Sequence, residues 1–69
     1  MERKLEYTSR DRSLTPLQVF QEFNRITFTD PPREIIMEGS FFKLQGGINT
    51  YSVSWLDGYW QVWREVSLQ

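Results

Sequence analysis

Apolar and polar positions change their spacing twice along this chain. Between Leu14 and Ile26, Val19, Phe20, Phe23 and Ile26 recur at the i, i+4, i+7 spacing of a helix face, while Gln18, Gln21, Glu22 and Arg25 fall largely on the other side. The start of that helix is written in "SLTPLQV". Thr15 suits the N-cap, Pro16 the first helical position, where a missing N–H costs nothing, and Gln18 can reach back to close a capping box. Leu14 before the cap and Val19 after it fit a hydrophobic staple. The spacing predicts a helix from about Pro16 to Asn24 or Ile26, with Thr27 and Thr29 diluting the pattern and Pro31-Pro32 forbidding continuation.

Beyond the prolines the alternation becomes two-residue. "REIIMEGSFFKL", Arg33 to Leu44, reads as one strand interrupted at Gly39-Ser40. Ile35 and Met37 sit on one phase and Phe42 and Leu44 on the other, so a bulge at Gly39 is expected to bring all four to the core side. "QGGI" is then the first hairpin turn and "LDGY" the second, the latter carrying the Asp-Gly signature of a two-residue type I′ loop. The expectation is an α+β fold in which one amphipathic helix packs on a three-stranded antiparallel meander. Residues 1–13 alternate charges around Leu5 and Tyr7 and read as a flexible arm or a short N-terminal edge strand at Lys4 to Thr8, with residues 14–69 forming a single small domain.

The Asp57-Gly58 loop fixes a register: Leu56 opposite Tyr59, Trp55 opposite Trp60, Ser54 opposite Gln61, Val53 opposite Val62 and Ser52 opposite Trp63. One face then carries Tyr51, Val53, Trp55, Trp60 and Val62, the set a helix would cover, with Trp55 and Trp60 as a core pair. The other carries Thr50, Ser52, Ser54, Gln61 and Glu65, with Trp63 in its midst. Phe41 and Lys43 fall on this same polar face, so an aromatic patch of Phe41 and Trp63, extended by Tyr59, is expected on an open sheet. Two readings of Trp63 stand side by side: a ring covered by the N-terminal segment through Leu5 and Tyr7, or an exposed contact for a partner.

Composition narrows the chemistry. Sixty-nine residues without cysteine or histidine have no disulfide and none of the usual zinc ligands, and such a chain buries only roughly 60% of its unfolded surface. Five Phe, three Tyr and three Trp supply the packing instead. The net charge of −1 offers no global field for phosphate backbones or anionic lipid, and no apolar run is long enough to span a bilayer. A cytoplasmic setting is expected, and the initial Met1 suggests a complete small gene product. Serines and threonines lack a neighbouring base, Glu34 and Glu38 read as solubilising charge, and Gly46-Gly47 is too short to cradle phosphate, so neither a catalytic site nor a cofactor is expected.

Two functions fit. The first is a small non-enzymatic protein-binding module, an inhibitor, adaptor or accessory subunit, meeting a larger protein or a second copy of itself through Trp63, Phe41, Tyr59, Lys43 and Gln61. The second is single-stranded nucleic-acid binding by base stacking on the same aromatics. The near-neutral charge, with Lys43 set against Glu65 on the open face, disfavours the second.

Overall fold

The structure, a computed structural model, describes residues 2–27 and 33–66. Among these it has β1 (Glu2–Ser9), α1 (Pro16–Thr27), β2 (Ile35–Glu38), β3 (Phe41–Leu44), β4 (Thr50–Leu56) and β5 (Tyr59–Val66). The fold is α+β, and its sheet has five strands in the order β1-β5-β4-β3-β2, antiparallel throughout. The three-stranded meander expected from the sequence is therefore a four-stranded one, with β1 added beside β5.

The missing strand lies at Gly39-Ser40. The phase change there is a hairpin rather than a bulge: Met37 opposes Phe42 and Ile35 opposes Leu44, so all four share one face, but the chain has reversed direction between them. Gly39 takes φ +60°, which suits the first central position of a type II′ loop. A bulge and a two-residue turn satisfy the same alternation, and Gly-Ser is itself a hairpin signal. "QGGI" does turn the chain, now between β3 and β4, and Gly47 N–H donates to the Leu44 carbonyl at 2.9 Å. At the last hairpin, Asp57 (φ 57°) and Gly58 (φ 90°) both adopt the left-handed conformation of a type I′ loop, and the expected register holds at every pair from Ser52–Trp63 to Leu56–Tyr59.

The helix begins as its cap dictates. Gln18 N–H donates to Thr15 Oγ1 at 3.2 Å and Thr15 N–H to Gln18 Oε1 at 2.8 Å, a closed capping box. The helix runs to Thr27, and Pro31-Pro32 lie outside the described residues. Because α1 joins two strands at opposite edges of the sheet, it must cross one face, hereafter the inner face. There Val19, Phe20 and Phe23 are buried against Phe42, Leu44, Tyr51 and Val62. The Phe20 ring stacks on Phe42 at 4.9 Å and meets Tyr51 at 5.3 Å. Ile26, expected on the buried stripe, is exposed, and Asn24 takes its place beside Phe23. The Asn24 side chain bonds both backbone groups of Arg33, fastening the helix end to the entry of β2.

Trp55 and Trp60 oppose each other as expected, edge to face with centroids 5.4 Å apart. They are not both core. Trp60 packs against the core and donates its indole N–H to the Asp11 carbonyl, but Trp55 is exposed, because the hairpin extends past the area that a 12-residue helix covers.

Residues 2–9 are a strand paired along β5, with a register shift between Leu5 and Tyr7. Without the extra residue both side chains would share a face. The shift leaves Leu5 opposite Trp63 on the outer face and brings Tyr7 opposite Val62 on the inner one, where its ring lies 6.3 Å from Phe23. Tyr7 therefore belongs to the helix side and is no lid over Trp63. Its hydroxyl donates to Glu22 Oε2 at 3.1 Å.

Stability should follow this placement. Phe20→Ala is expected to cost about 3–5 kcal/mol, since its ring is wholly buried, and Trp55→Ala about 1 kcal/mol or less. Trp60→Ala should fall between them in urea-unfolding midpoints. Burial, and then the hydrogen bond and charge of Glu22, raise the Tyr7 phenol above its ordinary value of 10.0. The folded state holds this proton more tightly than the unfolded one, so the associated stability is intact below about pH 10 and is lost as pH rises through the folded value. Melting curves between about pH 8 and 11 should show that loss, and Tyr7→Phe should reduce it.

Candidate functional site

Alternation along each strand places Leu5, Trp63, Ser52, Phe41 and Glu38 in one row across the outer face, with Arg3, Glu65, Thr50, Lys43 and Ile36 in the next. Toward the last turn follow Gln61 between Thr8 and Ser54, then Tyr59 opposite Leu56. The five residues singled out from the sequence thus share this face, but in different states. Phe41 is 41% exposed, Trp63, Tyr59 and Lys43 are half-buried, and Gln61 is buried.

Trp63 is held from three sides. The Arg3 guanidinium lies over its ring, 4.8 Å from the centroid, Leu5 stands opposite on β1, and the indole N–H donates to Gln61 Oε1 at 2.8 Å. The other end of that amide donates to the Leu56 carbonyl at 3.3 Å. Gln61 is therefore a bracket that fixes the indole and the hairpin tip. Arg3 is in turn positioned by Glu65, with Nε 3.2 Å from Oε1, and donates to Ser52 Oγ at 3.1 Å; Ser52 donates onward to Glu65. Nothing in the helix-and-meander reading could place Arg3 here, because the β4–β5 register does not fix how an N-terminal strand pairs with β5.

The cations of this face are balanced locally. Lys43 Nζ lies 3.0 Å from Glu38 Oε2, as Arg3 lies beside Glu65. Each pair is partly exposed and contributes at most about 1 kcal/mol. Arg64 points to the inner face, as the register requires, and its Nε is 3.2 Å from Glu6 Oε1. A second aromatic feature lies on the inner face beyond the helix: a shallow open depression lined by Arg12, Trp55 and Trp60, with the Arg12 guanidinium 5.8 Å from the Trp55 ring centroid. Among the described residues no cluster of three or more carboxylates could hold a metal ion, and no helix is long and apolar enough to cross a membrane.

The bracketing of Trp63 makes a stability prediction of its own. Trp63→Ala should cost about 1–2 kcal/mol, because the ring is half-buried and leaves Gln61 Oε1 without its donor inside the sheet face. Trp63→Phe keeps a ring beneath Arg3 and should cost less, a difference readable in denaturant midpoints.

No protein-family model matches this chain, and no curated protein or solved structure is significantly similar to it.

Proposed function

We propose that this protein is a small non-enzymatic binding module that docks on a larger protein through the outer face of its sheet, as an inhibitor, adaptor or accessory subunit does. The observation that carries the reading is the unequal cover of the two faces. The described helix lies on the inner face, whereas Leu5, Phe41, Ile36 and Leu56 remain exposed around half-buried Trp63 and Tyr59 on the outer one. Aromatic and aliphatic anchors within a polar surround are the make-up of an interface centre, and tryptophan is enriched among the residues that dominate binding energy.

Two features favour protein over nucleic acid as the occupant. Arg3 and Lys43 are each matched to a carboxylate, so the face offers little excess positive charge to a phosphate backbone. The indole of Trp63 is also fixed by Gln61 and Arg3, a pre-ordering that lowers the cost of docking on a surface of matching shape. With no cysteine or histidine in the chain, the same face has little to offer catalysis.

Phe41 is the cleaner probe, being more exposed than Trp63. With the complex recovered from the native host and its partner purified, Phe41→Ser should leave the unfolding midpoint within about 0.5 kcal/mol of the parent and weaken the complex by about 2 kcal/mol or more. Calorimetric titration at two salt concentrations should show mild salt dependence. Affinity for single-stranded oligonucleotides that falls steeply with salt would overturn the reading in favour of base stacking.

A further inference from the structure

The two edges of the sheet are unlike. β1 is long, carries Glu2, Arg3, Lys4 and Glu6, and is interrupted by its register shift, features that keep an edge from pairing with another chain. β2 is short and reads Ile-Ile-Met-Glu, with Ile36 42% and Met37 59% exposed.

The turn sets which backbone groups of β2 face outward. A two-residue loop closes on a hydrogen-bonded pair, here Glu38 and Phe41, and bonded pairs then alternate along the ladder: Ile36 with Lys43, then Glu34 with Gln45. The last of these is present as Gln45 N–H donating to the Glu34 carbonyl at 2.8 Å. The N–H and C=O of Ile35 and Met37 therefore point away from β3, off the sheet. Arg33 has the same phase, but the Asn24 side chain bonds both its backbone groups, as a neighbouring strand would. Among the described residues, Asn24 thus ends the open edge on one side and the Gly39-Ser40 turn ends it on the other, leaving Ile35 to Met37 between them.

We propose that this edge pairs with the β2 edge of a second copy of the chain, antiparallel about a two-fold axis through Ile36. In that register Ile35 of each copy faces Met37 of the other, and each such pair exchanges both backbone hydrogen bonds. The Ile36 side chains of the two copies meet on the outer face. Each Asn24-capped Arg33 falls opposite the Gly39 turn of the other copy, where no strand bond is required of either. A longer foreign strand would run into Asn24 at Arg33, so the length of the open edge fits a second copy, and the contact is isologous. One juxtaposition opposes it: Glu34 faces Glu38 of the second copy, offset in part by Lys43. A three-residue edge with this like-charge juxtaposition, repeated by the two-fold, makes a transient dimer. The surface used is the edge of the sheet, so the proposal stands or falls separately from docking on the outer face.

Sedimentation velocity over a concentration series, with amide exchange read residue by residue, tests it. A concentration-dependent dimer is expected, in which exchange at Ile35 and Met37 slows by about tenfold or more. Met37→Pro removes an outward N–H while sparing the β2–β3 ladder, and Ile36→Glu sets two further carboxylates among those of Glu34 and Glu38 from both copies; each should weaken the dimer by about tenfold or more while melting at low concentration shows the chain folded. Glu34→Lys turns the like pair into an opposite one and should tighten it. A chain that stays monomeric to about 1 mM, a dimer whose Ile35 and Met37 amides exchange as in the monomer, or one indifferent to Ile36→Glu would overturn the proposal. Should Met37→Pro fail to fold, the exchange data on the unmodified chain and Ile36→Glu decide.

Discussion

Phe20 is the contact on which the rest of this structure depends. Its ring is wholly buried, stacks on Phe42 of β3, and meets Tyr51 of β4 and Phe23 of its own helix. A helix of 12 residues spends roughly 18 Å crossing a sheet whose strands lie about 4.8 Å apart, so it can cover the middle strands well and the corners poorly. Phe20 sits where that cover is complete. Burial falls away from it toward Trp55 and Met37 on the same face, both exposed. In a chain without cysteine to form a disulfide, this one aromatic cluster must carry most of the stabilisation, since each wholly buried ring contributes about 2–3 kcal/mol.

Features set by local chemistry were legible in the sequence. The Thr15–Gln18 box and the Asp57-Gly58 turn each involve residues a few positions apart, with geometry that follows from φ preferences and unsatisfied backbone groups alone. The register of β4 on β5 followed from that turn, and with it the assignment of Trp63 to the outer face. At Gly39-Ser40 the alternation admits two solutions, a bulge and a hairpin, and the chain adopts the hairpin. The phase of the side chains says which face each residue occupies and is silent on the direction of the strand.

What escaped depends on long-range pairing. Of the two readings of residues 1–13, the edge strand at Lys4 to Thr8 is the one realised, as β1, but its pairing with β5 is not written in its own composition, which suits a solvated arm equally well. The register shift between Leu5 and Tyr7 then decides everything about Tyr7, sending it to Phe23 and Glu22 rather than to Trp63. Asn24 is a similar case. A polar residue on the buried side of a helix looks like a break in the pattern until the partner backbone at Arg33 is known. In each case the burial of a polar group is explained by its partner, which sequence spacing alone does not supply.

These long-range features also divide the labour of the surface. Because β1 occupies one edge and protects it with charge and an irregular register, and because Asn24 seals the entry of β2, open strand backbone on the β2 edge among the described residues is confined to a short stretch. Because one helix can cover one face, the other keeps its apolar residues at the solvent boundary, and they are held there by polar brackets: Gln61 on the indole of Trp63, Glu65 on Arg3, Glu38 on Lys43. Those brackets would contribute little to folding as isolated surface pairs. Their effect is on order: a tryptophan fixed in one orientation loses less freedom when it is covered than one that rotates freely, and this is the physical link between the packing of the sheet and the binding role proposed for its outer face.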